Sequence, residues 1–144
     1  MGIRNYIMKQ HTTNYYDTLI TVAEDSKADQ GTVPPVKADK PTIANYQFDL
    51  INQHPLQYTS DDVLFKVYAL RNDILEKDYE RERLQFYSKG QACLRTSPLA
   101  KTYGWGIYHD SEGKIRLIDI RSEEYEKMLA DDCIKKVPAM KSKR

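Results

Sequence analysis

Cysteine, glycine and tryptophan are scarce in this chain of 144 residues, which holds two, six and one of them. Cys93 and Cys133 stand far apart and form no C-x-x-C pair, so a zinc ribbon and a thioredoxin-like redox motif are excluded. The expectation for both is a buried free thiol. Charge of one sign is also missing: 22 basic against 21 acidic side chains give a net charge of +1. That balance closes the high-charge route to disorder and gives no bulk attraction to a polyanion. No stretch approaches the roughly 18 consecutive apolar residues of a membrane span, and MGIRNYIMKQ lacks the apolar core of a secretory signal. The expected location is therefore the cytoplasm. An N-terminal Met-Gly can signal myristoylation, but Tyr6 stands where that pattern takes Ser or Thr. G-x-S-x-G, G-x-x-x-x-G-K-[ST] and G-x-G-x-x-G are all absent, which removes support for the common hydrolase, P-loop and dinucleotide-binding readings.

What is present reads as alternating short strands and helices. DTLITVA, residues 17–23, centres on β-branched Ile20, Thr21 and Val22 and predicts a strand. Residues 26–41 contain Gly31, Pro34, Pro35 and Pro41 but no aromatic, Leu or Ile, and predict a long loop. Ile43, Tyr46, Leu50 and Ile51 fall at helical spacing before Pro55, predicting a helix over 42–54. Thr59 with Asp62 three residues later is a capping-box pattern, and Asp61 and Asp62 complement a helix N-terminus. The helix they open, with apolar positions through Ile74, is predicted to be the most buried. A charged helix over 75–88 ends before Gly90. Ser97-Pro98 predicts a short helix over 98–103 with Gly104 as its stop. WGIYH, the turn DSEG and KIRLIDI predict a β-hairpin over 105–120. Ser122 caps a last helix to about 132, and 134–137 predicts a short strand that Pro138 confines to a sheet edge.

Candidate chemistry concentrates in CLRTSPLAKTYGWGIYH, residues 93–109. Arg95, Ser97, Lys101, Tyr103, Trp105, Tyr108 and His109 surround a helix start there. A guanidinium that can grip an anion with two parallel hydrogen bonds, a serine hydroxyl and an amide-rich helix start together suit an anion cradle. Glycines on both sides of Trp105 suit an indole that lines a pocket. Elsewhere the signals are weaker. His11, His54 and His109 are dispersed with no i, i+4 pair, so neither a metal nor a cofactor is expected. Five of the last ten residues are basic, a tail that is expected to be solvated.

The strings HTTNYYDTLITVAEDS, GTVPPVKADKPTIANYQFDLI, YTSDDVLFKVYALRND, SKGQACLRTSPLAKTYGWGIYHDSEGKI and SEEYEKMLADD fall between His11 and Asp132 and carry a resemblance over nearly everything from about His11 to Arg144. On these residues the chain resembles a family of small uncharacterised bacterial proteins of unknown function. The resemblance implies no activity, cofactor or catalytic residue. It implies a customary start near MKQHTTNY, with Met8 as the first residue and Met1 to Ile7 as an extension.

Together these readings describe one α+β domain over 1–144, with irregular or frayed ends at 1–14 and 138–144. The expected core is a small antiparallel sheet, made of the 17–23 strand, the 105–120 hairpin and the 134–137 edge, with about four helices mostly over one face. The expected function is a non-enzymatic cytoplasmic domain that binds an anionic small molecule or a protein partner. The seven residues above would form its site and the 26–41 loop its lid. The alternatives are a small hydrolase or transferase using His109 as general acid or base with Tyr103 or Cys93, and, last, weak nucleic-acid binding through the basic C-terminal tail.

Overall fold

The computed structural model describes residues 9–143. The expected start at Met8 and the extension before it lie outside those residues.

Local sequence signals set the helix ends. In α1 (Ile43–Gln53) Thr42 and Asn45 close a reciprocal capping box, and in α2 (Ser60–Arg71) Thr59 and Asp62 close a second. Each box satisfies two backbone N–H groups that the first helical turn leaves free. α2 stops at Arg71, short of Ile74, because Asp73 adopts φ 51° and turns the chain away. A short polar residue tolerates that left-handed conformation better than most. The charged segment that follows is a 3-10 turn, Glu76–Asp78, leading into α3 (Tyr79–Phe86). Ser97 caps the single-turn α4 (Pro98–Lys101), and Gly104 at φ 79° redirects the chain into the sheet. Ser122 caps α5 (Glu123–Ala130) by accepting from the Tyr125 amide.

The sheet has four strands: β1 (Thr18–Thr21), β2 (Trp105–His109), β3 (Ile115–Asp119) and β4 (Lys135–Pro138), in the order β3-β2-β1-β4. β2 and β3 form the expected hairpin, with Gly113 at φ 82° and the Asp110 carboxylate accepting the Lys114 amide. β1 lies antiparallel to β2, and β4 supplies the expected edge strand with Pro138 on it. The sheet is mixed rather than wholly antiparallel, because β4 runs parallel to β1. The reason is topological. The chain leaves β3, which already runs in the direction of β1, crosses one face through α5, and returns in the same sense at the free edge of β1.

Strand alternation divides the core in two. Ile20, Ile107 and Ile115 face α1, α2 and α4 and join Phe48, Ile51, Val63, Val67 and Leu99 in the larger cluster. Leu19 and Ile118 face the opposite side, where Tyr125 and Met128 of α5 cover them. Helices therefore cover both faces, since an eight-residue crossover must pack on whichever face it crosses. Gly106 permits that packing: a Cβ there would stand 2.7 Å from the Tyr125 ring. A third cluster, Phe65, Ala69 and Tyr87, joins the outer side of α2 to α3. With apolar contacts on two sides, α2 buries Val63, Phe65, Val67 and Ala69, while Tyr68 and Leu70 of the expected apolar face stay exposed.

The irregular ends are tied down. Asp61, expected only to complement the helix dipole, accepts from the Thr12 hydroxyl (2.7 Å) and from the Thr13 amide (2.7 Å) and hydroxyl (2.7 Å). At the other end Ala139 is buried, and the Asp25 carboxylate accepts the Ser142 and Lys143 amides at 3.0 and 2.9 Å. The C-terminal stretch is thus irregular without being free. The cysteines differ from expectation: Cys93 is half-buried and Cys133 is exposed on the turn before β4.

Candidate functional site

A cleft of about 440 Å³ lies between α1, α2 and the segment that runs from the end of α3 to α4. Its walls come from three separated stretches of chain: Ile43 and Gln47, then Leu64 to Asn72, then Phe86 to Pro98. Ile43, Leu64, Val67, Phe86 and Pro98 make it predominantly apolar. Ile43 and Tyr68 remain 40% and 37% exposed on its rim. A volume between about 300 and 1,000 Å³ with apolar walls and a few polar groups is the usual form of a small-molecule site.

Two buried polar residues form part of the wall. Gln47 is 4% exposed and Ser97 2%. The Ser97 hydroxyl donates to Gln47 Oε1 at 2.5 Å and accepts the Leu99 amide at 3.1 Å, which uses both of its roles. With Oε1 committed, Gln47 Nε2 donates to nothing among the described residues. It is not among their fully sealed unpaired atoms, so it keeps some access to solvent, and its residue lines the cleft. Sequence reasoning passed over Gln47, although a signal was there: it interrupts the apolar series Ile43, Gln47, Ile51 at four-residue spacing.

The seven residues singled out from sequence do not converge. Ser97 alone lines the cleft. Arg95 Nε donates to the Pro138 carbonyl at 2.6 Å, which ties the 3-10 turn Leu94–Thr96 to β4 and places Arg95 beside Lys141 and Lys143 in a separate shallow hollow. Lys101 lines another, with Lys27 and Asp25. Tyr103 packs against the main core, and its carbonyl accepts the Thr32 amide at 2.9 Å. Trp105 donates from Nε1 to the Thr32 carbonyl at 2.8 Å, and its ring meets Gly31, where a Cβ would stand 2.8 Å away. Trp105 and His109 share one face of β2 with Ile107, while Tyr108 lies on the other beside α5. No single pocket joins all seven.

The long loop is tied to the sheet end and to the first turn of α1. Gly31 donates to Asp119 Oδ1 at 2.8 Å, and Asn45 donates to the Pro34 carbonyl at 2.9 Å. No residue of 26–41 lines the cleft.

His109 is 0% exposed. Its Nδ1 faces two backbone carbonyls, Thr18 at 3.3 Å and Ile107 at 3.1 Å, so Nδ1 carries the proton in the neutral ring. Nε2 has no partner among the described residues. Burial pushes the ring down to about 4, against the opposing pull of those carbonyls. Tyr15 packs edge-on against the ring at 5.4 Å and shares a 3.4 Å contact between its hydroxyl and Cys93 Sγ. Burial, with the thiol adding to it, pushes the Tyr15 hydroxyl up to about 12. Tyr15 thus stands between the histidine and the cysteine that a nucleophilic reading would pair. Among the described residues no group of three or more His, Cys, Asp or Glu is placed to hold a metal.

Fold and cleft together define a small α+β domain, a four-stranded mixed sheet with helices on both faces and an apolar, partly polar cleft between α1, α2 and the 86–98 segment. The chain belongs to a family of unknown function (DUF6157), whose model matches residues 10–144. No curated protein and no solved structure matches it.

Proposed function

We propose that this protein is a binding domain rather than an enzyme, and that the cleft between α1, α2 and the 86–98 segment holds a small molecule. The observation that supports this reading is the pairing of apolar walls with the amide of Gln47, a 4%-exposed residue lining the cleft whose Nε2 donates to no described protein group. A preformed apolar recess with a few fixed polar groups binds without further chemistry. The catalytic alternative is weaker. It needs His109 to reach a substrate, and that ring is fully buried against Tyr15 with its Nδ1–H donated to strand carbonyls. The nucleic-acid alternative draws little support from a tail in which Lys141 pairs with Glu24 at 3.7 Å and Asp25 holds the backbone.

No helix of the described residues is long and apolar enough to cross a membrane. Unpaired Cys93 and Cys133 favour a reducing compartment, and we read the protein as cytoplasmic.

The test is a methyl NMR screen of the full chain against a small-fragment library, repeated on Ala92→Trp. Ala92 is exposed on the cleft wall, so the indole fills the recess without entering the core. Fragments should shift the methyls of Ile43, Leu64 and Val67 in the natural chain and leave the filled variant unmoved. Shifts confined to the Arg95 and Lys143 side would overturn the assignment.

A further inference from the structure

The charge and hydrogen-bond inventory of the cleft narrows its ligand. Among the lining residues Arg71 is the only charged one; no Asp or Glu is present. Arg71 forms no ion pair with any described residue, whereas Arg81, Arg83 and Arg116 each do. An exposed arginine at a helix C-terminus is also what the helix dipole favours, so Arg71 alone would decide little.

The second observation is where the other polar hydrogens go. The Asn72 amide gives one of its two hydrogens to the Tyr68 carbonyl at 2.8 Å, and the Gln91 amide one of its two to the Phe86 carbonyl at 2.8 Å. The Thr96 hydroxyl is spent on the Cys93 carbonyl at 2.9 Å and the Ser97 hydroxyl on Gln47. Besides the Tyr68 hydroxyl and a second hydrogen on each of the Asn72 and Gln91 amides, two nitrogen donors with no protein acceptor among the described residues remain: the Gln47 amide in the wall and the exposed Arg71 guanidinium. Both are donors, one is cationic, and apolar side chains make up most of the remaining wall. The cleft next to it, beyond Tyr68 and Phe86, holds Lys89 and a Glu82 already engaged with Arg81.

We infer that the ligand is an amphiphilic monocarboxylate, an apolar chain or ring whose carboxylate is taken by Arg71, with Gln47 donating to one of its oxygens. This rests on the cleft being the binding site, as proposed above. A carboxylate carries the single charge that one guanidinium neutralises, and its two oxygens match the planar fork. A dianionic phosphate carries a second charge for which the lining offers no second cation. A neutral amphiphile would leave the guanidinium unanswered.

The probes are octanoate, octan-1-ol and octyl phosphate, titrated into the full chain and into Arg71→Gln at about 150 mM salt, where longer-range attraction is screened. Methyl shifts of Leu64 and Val67 report binding in the cleft. Arg71 is exposed, and an unchanged amide spectrum shows that the variant keeps its fold. Octanoate should bind at least about tenfold more tightly than octanol, a gap equal to one charge-assisted contact. Octyl phosphate should bind no more tightly than octanoate, and Arg71→Gln should reduce octanoate to the octanol level while leaving octanol unchanged. Equal affinities for octanoate and octanol, or an Arg71→Gln variant that keeps the preference, would overturn the carboxylate and leave the cleft as the site. Octyl phosphate binding about tenfold tighter than octanoate would overturn it in favour of a dianionic head. If none of the three moves the Leu64 and Val67 methyls, both the ligand class and the cleft assignment fall.

Discussion

Lowering the pH should unfold this protein through one side chain before its carboxylates take part. His109 titrates near 6.5 when unfolded and near 4 in the fold, where burial opposes its charge. The unfolded chain therefore binds more protons between these values. The stability linked to His109 is complete above about pH 6.5 and is lost as pH falls through about 4. At about 1.4 kcal/mol per pH unit, a gap of about 2.5 units amounts to about 3 kcal/mol, of which about 2 is gone by pH 5. That is a large part of the roughly 5–15 kcal/mol available to a domain of this size. Asp62 and Glu124, held below their usual values by hydrogen bonds from Thr59, Arg83 and Arg116, keep their contributions until lower pH. The window from 6.5 to 5 thus isolates His109. Urea unfolding followed by Trp105 fluorescence at half-unit pH steps, on the natural chain and on His109→Gln, measures the effect. The natural chain should lose about 2 kcal/mol more than the variant across that window. Parallel pH profiles would refute a neutral, buried His109.

Three further substitutions probe the frame and one probes the site. Gly104→Ala should cost about 2 kcal/mol in urea unfolding, because φ is 79° and a Cβ would stand 2.1 Å from the Gln30 carbonyl oxygen. Asp61→Ala should cost about 3 kcal/mol and open residues 9–14 to limited proteolysis, since it removes the acceptor for Thr12 and Thr13. Arg116→Ala, which breaks an exposed pair with Glu124, should cost less than about 1 kcal/mol by thermal unfolding. Arg95→Ala should leave octanoate affinity in the methyl titration unchanged within about twofold, because Arg95 serves the Pro138 carbonyl and not the cleft.

The parts of the fold legible in sequence are those fixed within a few residues. Thr59 and Asp62, Ser97 and Ser122 mark helix starts because a cap is a local hydrogen bond. Asp110 and Gly113 mark the hairpin because turn geometry needs those residue types. Pairings between distant segments were not legible: the parallel register of β4 on β1, the placement of α5 on the far face, and the grip of Asp61 on residues 12–13. The cleft belongs to this second group, since its walls come from three stretches that only packing unites. A cluster along the chain, 93–109, is a poor guide to a cluster in space. Part of that was readable in advance, because two-residue alternation alone sends Tyr108 to the face opposite Trp105 and His109.

The most direct test of the cleft as the binding site is a crystal structure of the full chain soaked in octanoate. The account predicts density for the apolar chain against Leu64 and Val67, with the carboxylate at Arg71. An empty cleft, with octanoate held instead beside Arg95, Lys141 and Lys143, would contradict it.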